Sequence, residues 1–162
     1  MGANIPFISV PCLSILERDV MNEHLTAISR GVPSVPMRYL YKAGLLVGDM
    51  LDFGSGKGFD AKHYCMCSYD PYYQPVVPGM LYNTITCNYV LNVIEQPASR
   101  ETVLANILAM LTDDGTAYIT VRNDKAALKG TTSKGTWQGH ITLDLPVEHK
   151  CKGYIIYRME KG

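Results

Sequence analysis

No run in this chain approaches the roughly 18 uninterrupted apolar residues that a membrane-spanning helix requires, so a helical membrane protein is not the expectation. An excess of charge of one sign is also missing, because 15 Lys/Arg stand against 15 Asp/Glu. A dedicated nucleic-acid binder carries a marked basic excess. Here the excess is local and mild: from Gly115 onward there are eight Lys/Arg against four Asp/Glu, around Arg122, Lys125, Lys129 and Lys134. Such a run reads first as a solvated loop. Cysteine is sparse and odd in number, at five, with no repeating framework. That argues against a disulfide scaffold and for a reducing cytoplasm. The N-terminal stretch lacks the basic start of a signal peptide, and Glu17 and Asp19 close its short apolar run. Internal repeats and low-complexity tracts are absent.

What is present suits one α/β domain, since 162 residues with 47% hydrophobic content can bury a proper core. Leu13, Leu16, Val20 and Ile28 recur at helix-like spacing until Gly31 and Pro33 end the run. A second helix is expected over 37–46, stopped near Gly48. Short apolar segments at 49–53, 64–69, 83–88 and 116–121 read as strands, with a helical turn at 60–63 and a proline-rich loop at 71–82. Cys65 and Cys67 would share one face of the second strand, as buried cysteines rather than metal ligands. Pro97 and Ser99 open a helix whose Leu104, Ile107, Leu108 and Leu111 fall at i, i+3, i+4 and i+7. Segments 140–145 and 154–159 alternate as strands do and are expected to pair as a C-terminal antiparallel hairpin. Strands alternating with helices imply a mostly parallel sheet covered on both faces. The expected organisation is a helical N-terminal cap, 1–48, on a core, 49–162.

The most informative segment is Asp52-Phe53-Gly54-Ser55-Gly56-Lys57-Gly58-Phe59-Asp60. A strand that breaks into alternating glycines lets a ligand approach the backbone, because glycine tolerates positive φ and has no Cβ in the way. A phosphate-cradling P-loop needs Gly-x4-Gly-Lys-Ser/Thr; here Gly58 follows Lys57, and Leu51 stands where the first glycine belongs. The dinucleotide fingerprint needs a third glycine where Phe59 stands. What remains is an acid followed by Gly-x-Gly-x-Gly, with Asp70 at the end of the next strand in Tyr69-Asp70-Pro71-Tyr72.

This pattern resembles the first motif of Rossmann-like methyltransferases that use S-adenosylmethionine. The resemblance implies that the loop wraps the amino-acid part of the cofactor and that Asp70 hydrogen-bonds both ribose hydroxyls. It assigns Asp52, Gly54, Ser55, Gly56, Lys57, Gly58, Asp60, Asp70, Pro71, Tyr72 and Asn88 to the cofactor. Further matches run in one order over about residues 24–138: His24–Arg30, Pro33–Arg38, Asn88-Tyr89-Val90-Leu91-Asn92-Val93-Ile94 and Gly135-Thr136-Trp137-Gln138. Together these are similar to a group of methyltransferases of bacteria and phages that includes ones associated with DNA phosphorothioation genes. Asp70 lies only twelve positions after Gly58, so the intervening helix should be cut to a turn or two. The loop 71–82 should replace the usual next strand and helix, leaving a reduced, mostly parallel sheet with no strand beyond the second.

In this fold the acceptor sits beyond the third strand, which nominates Asn88, Tyr89 and Asn92. The Asn/Asp-Pro-Pro-Tyr motif of DNA amino-methyltransferases is not there, and the one Pro-Cys, Pro11-Cys12, is misplaced for a cytosine nucleophile. Arg30 and Arg38 are candidates to fold over the site, where arginine clamps a carboxylate bidentately. Arg122, Trp137 and Gln138 are candidates for the acceptor pocket, and His24 for a base. No histidine spacing suggests a metal. The expected activity is methyl transfer to an unidentified acceptor, with a small-molecule cofactor and no membrane partner. Binding without transfer, or cleavage of the sulfonium, are the alternatives.

Overall fold

The computed structural model describes residues 23–124 and 129–162. Leu13, Leu16, Val20, Pro11-Cys12 and Lys125 lie outside these residues. The elements in chain order are a 3-10 turn (Glu23–Thr26), α1 (Val35–Lys42), β1 (Met50–Phe53), α2 (Phe59–His63), β2 (Cys67–Tyr69) and β3 (Tyr82–Asn88). A second 3-10 turn (Leu91–Val93), α3 (Pro97–Ala109), β4 (Leu111–Arg122), β5 (Lys129–Thr131), β6 (Trp137–Gly139), β7 (Val147–Lys150) and β8 (Tyr154–Glu160) follow.

The main sheet has the order β2-β1-β3-β4-β8-β7. Strands β1 to β4 pair in parallel, and β8 runs antiparallel between β4 and β7. Strand β2 forms the edge, as expected from the loop 71–82 that replaces the next strand and helix. Period-2 alternation places consecutive residues on opposite faces. Ile119 and Ile155 join one apolar cluster with Val103 and Ile107 of α3, whereas Tyr118 and Ile156 join another with Met37 and Leu40 of α1 and Ala61 of α2. The sheet is thus covered on both faces. No helix among the described residues is long and apolar enough to cross a membrane.

Five local expectations are corrected. The run ending at Gly31 is not a helix from residue 27 onward; this stretch is irregular because it lies across the glycine loop, with Ala27 near Gly56 and the Ser29 hydroxyl accepting from Lys57 Nζ at 2.9 Å. Helix α1 stops at Lys42, where Gly44 takes a positive φ and Leu45 N donates to Leu40 O. The strand expected at 64–69 is confined to 67–69, because Tyr64 caps α2 and Cys65 is left-handed, with φ 55°. Cys65 and Cys67 are both exposed rather than buried. Finally, 140–145 is not a strand. Its alternation is real, since Ile141, Leu143 and Leu145 pack on the core, but the partner of β8 is β7. Periodicity reported burial there, not ladder pairing.

Candidate functional site at the carboxyl ends of the parallel strands

A cleft of about 520 Å³ opens at the carboxyl ends of β1, β3 and β4. It is lined by His24, Arg30, Asp52, Gly54, Ser55, Gly56, Lys57, Asp60, Asp70, Pro71, Tyr72, Asn88, Tyr89, Asn92, Arg122 and Gln138, among others. Ligands of open α/β sheets bind at this end of the strands. Of the residues nominated from sequence, Gly58, Arg38 and Trp137 are not in the lining. Gly58 instead forms the left-handed N-cap of α2. Arg38 is on the exposed side of α1, within electrostatic reach of Tyr64 and Tyr154. Trp137 packs on the core with Arg100 over its ring.

The glycine loop is held by its backbone. Gly54 and Ser55 both donate to Tyr69 O, at 2.8 and 3.0 Å, which ties the loop to the end of β2. Gly54 and Gly56 have φ of 73° and 54°, in the left-handed region that penalises a side chain. A Cβ on Gly54 would run into Val90 Cγ2. Asp70 takes three backbone donors: Gly56 N at 2.8 Å on Oδ2, and Tyr72 N and Tyr73 N at 2.9 and 3.0 Å on Oδ1. A carboxylate offers about four acceptor positions. The expectation of two open oxygens for a diol therefore reduces to about one open position, and Asp70 also organises the loop.

The acids of this end differ in environment. Asp52 is buried, and desolvation pushes its carboxyl up to about 7; Asp60 and Asp70 push the same way, while the Thr86 hydroxyl, donating at 2.8 Å, and Arg30 pull it back. Asp60 accepts Ser34 N at 2.9 Å, a clip between the start of α1 and α2 that sequence patterns did not reveal. His24 stacks on Tyr72 with centroids 4.0 Å apart, which places it at the Asp70 end of the cleft.

At the other end, Tyr89 is left-handed, with φ 61°, and turns the chain out of β3. Burial pushes its phenol up to about 12, so it stays protonated at neutral pH. Asn88 Oδ1 accepts from the Thr120 hydroxyl at 2.7 Å, while its Nδ2 is shielded from solvent without a partner. Arg122 is bidentate to Asp124, at 2.9 and 2.7 Å, and donates to Gln138 Oε1 at 2.7 Å. Asn92 is 1% exposed and bonds backbone at both ends of its amide, accepting Arg122 N at 2.8 Å and donating to Gly139 O at 2.7 Å. These two bonds position the end of β4 and strand β6. Asn92→Ala would strand two buried backbone groups. A loss of roughly 2–6 kcal/mol is expected at 1–3 kcal/mol for each, read as a lowered Tm.

Among the described residues no three His, Cys, Asp or Glu side chains gather to hold a metal ion. No family model matches the chain. No curated protein sequence matches it either. Solved structures do. A DhpI–SAH complex superposes with a TM-score of 0.55 at 13% identity, covering 88% of this chain and 95% of that one. The Burkholderia thailandensis 1,6-didemethyltoxoflavin-N1-methyltransferase, bound to 1,6-didemethyltoxoflavin and S-adenosylhomocysteine, gives 0.57 at 17%, covering 76% of each chain. The glycopeptide N-methyltransferase MtfA with S-adenosylmethionine gives 0.54 at 9%, covering 83% and 90%. The chain therefore has the Rossmann-like fold of S-adenosylmethionine-dependent methyltransferases, with a reduced parallel edge and a reversed β8.

Proposed function

We propose that the cleft binds S-adenosylmethionine and that the protein is a methyltransferase, with residues 1–48 as its cap and 49–162 as the cofactor-binding core. The observation that carries this reading is the glycine-loop end of the cleft, where Asp52, Asp60 and Asp70 gather around backbone left open by Gly54 and Gly56. Three carboxyl groups suit a ligand bearing a sulfonium and an ammonium, and they oppose the phosphates of NAD or ATP. The fold shared with proteins solved with S-adenosylmethionine or its product supports the same choice. The finer likeness, to the group associated with DNA phosphorothioation genes, rests on the motifs over 24–138.

When bound, the cofactor supplies an electrophilic methyl group. The chain's own task is to hold an acceptor in line with it, which needs no covalent intermediate. In this reading the open position on Asp70 takes a ribose hydroxyl, and the stacked Tyr72 and His24 wall the adenosine. Arg30, which acts on both Asp52 and Tyr89, faces the cofactor carboxylate from the middle of the cleft. Asn88 and Tyr89 stand at the methyl end. His24 is then too near the adenosine to serve as the base.

S-adenosylmethionine and S-adenosylhomocysteine should raise thermal stability by mass action, about 2.7 kcal/mol at a hundredfold excess over Kd. NAD and ATP should not. Asp70→Ala should reduce the shift sharply, since it removes both a ligand contact and the anchor of the Gly56 N–H. A shift with NAD or ATP in place of S-adenosylmethionine overturns the assignment.

A further inference from the structure

The outward side of α1 and α2 carries rings and cations that the cleft does not use. Residues 24–48 contain no Asp or Glu. On α1, Pro36, Met37 and Leu40 are buried, which turns Arg38, Tyr41 and Lys42 to solvent at i, i+3 and i+4. Tyr41 is 64% exposed, and its ring meets that of Tyr64 at the end of α2, with centroids 5.2 Å apart. Tyr64 in turn meets the exposed His63 edge-on at 4.8 Å. Arg38 is within electrostatic reach of both Tyr64 and Tyr154. Tyr154 packs on His149, which stacks on Tyr39 at 4.1 Å. Two acids border this face. Asp60 is buried and accepts Ser34 N, and Glu148 lies toward Tyr118, where Arg158 shares its field.

We propose that this face docks single-stranded nucleic acid, with bases on the exposed tyrosine rings and phosphates on Arg38 and Lys42. Every base has a π-face, so rings interleaved with cations hold a single strand without reading its sequence. A duplex keeps its bases stacked inside and leaves the rings unused, and an acidic peptide answers the charges alone. A second copy of this chain would meet the same patch across a two-fold axis, setting Arg38 and Lys42 against their own images. An apolar partner needs a contiguous apolar patch, which the cations interrupt. The chain is neutral as a whole, with 15 Lys/Arg against 15 Asp/Glu, so local contacts and not a long-range field hold the strand. The face also adjoins the methyl end of the cleft, since Tyr154 is within electrostatic reach of Tyr89.

The test is fluorescence anisotropy with labelled oligothymidylate and oligouridylate of about 12 nucleotides, a length within the site sizes of single-strand binders. Saturable binding of at least one, with a Kd below ~100 μM at ~0.1 M salt, is the expected result, and comparing the two separates DNA from RNA. A duplex of the same length, and polyglutamate at equal charge, should compete at least tenfold more weakly than unlabelled single strand. Tyr41→Ala should weaken binding at least about fivefold, the effect of one lost stacking ring. Tyr41→Phe, which keeps the ring, should stay within twofold of wild type. Arg38→Gln and Lys42→Gln should each lower the slope of log affinity against log salt by about 0.7. All three residues are exposed and lie outside the cleft lining, so Tm and S-adenosylhomocysteine affinity should hold in each variant, which keeps this test separate from the cofactor reading. No saturable binding of either strand, equal competition by duplex or polyglutamate, or wild-type affinity in folded Tyr41→Ala overturns the proposal. A sedimenting dimer that Tyr41→Ala dissolves assigns the face to a second copy and overturns it as well.

Discussion

Gly56→Val should abolish S-adenosylmethionine binding, a loss of more than a hundredfold, in a protein that still folds. Gly56 sits at φ 54°, a conformation that β-branched residues avoid, and a Cβ there would lie 3.2 Å from Ala27 Cβ. Left-handed backbone costs roughly 1–2 kcal/mol for an ordinary residue. A domain of this size is commonly stable by 5–15 kcal/mol, so strain at one loop position leaves most of the population folded. Binding has no such margin. The Gly56 N–H is one of three donors that fix Asp70, and valine in any relaxed conformation withdraws it. The loop then loses its closure onto the end of β2, and the ligand loses both its backbone cradle and its carboxylate partner. Circular dichroism melts and calorimetric titration on one sample separate the effects. Normal affinity in the folded variant removes the glycine loop from the site, whereas a large drop in Tm with binding lost in proportion makes the glycine structural.

The parts of this site legible in the sequence are those whose chemistry is local. Asp52 through Asp60 carries its own signal, because alternating glycines after a short apolar segment have few uses other than close backbone approach. Asp70 is legible by its place at the end of the next segment; the twelve positions back to Gly58 leave room for only a short α2, and the loop 71–82 leaves β2 as an edge strand. The carboxyl ends of β3 and β4 follow from topology once the strands are placed, and this brings Asn88, Tyr89 and Arg122 to the cleft.

What could not be read depends on contacts between distant residues. Asn92 looks like a site residue because it is polar and close to Asn88. Its amide is nevertheless used by Arg122 N and Gly139 O, 30 and 47 positions away. Arg38 resembles Arg30 in sequence context, but the helical phase of α1 turns it to the exposed side. Segment 140–145 shows the limit of periodicity, since alternation reflects burial against a sheet face whether or not a neighbouring strand completes the ladder. The environment that shifts Asp52 is likewise assembled from Thr86, Asp60, Asp70 and Arg30, which the chain brings from four segments.

That environment gives cofactor affinity a dependence on pH whose sign identifies the ligand's charge. In the free protein the Asp52 carboxyl titrates at about 7, above the value of 3.8 that it has when exposed. The folded state therefore binds more protons than the unfolded state between these values. The contribution of Asp52 to stability is greatest below pH 4, falls as pH rises toward 7 and then levels off, a range on the order of 4 kcal/mol. A cation beside Asp52 favours the ionised carboxylate and lowers this pKa. Binding S-adenosylmethionine below pH 7 must then release a proton, so affinity should rise by up to about tenfold per pH unit toward pH 7. The gain should flatten above it, because Asp52 is then already ionised in the free protein and binding has no proton left to release. Calorimetry at pH 6 in two buffers of different ionisation enthalpy measures the released proton directly. Asp52→Asn keeps an oxygen for the Thr86 hydroxyl but cannot titrate. It should bind without proton release, with the steep rise between pH 5 and 7 removed and the free protein's stability no longer falling over that range. An anionic nucleotide in the same cleft would raise the Asp52 pKa and reverse the slope, taking up a proton on binding. Proton uptake, or a wild-type slope retained in Asp52→Asn, would show that this carboxylate does not face a cationic ligand.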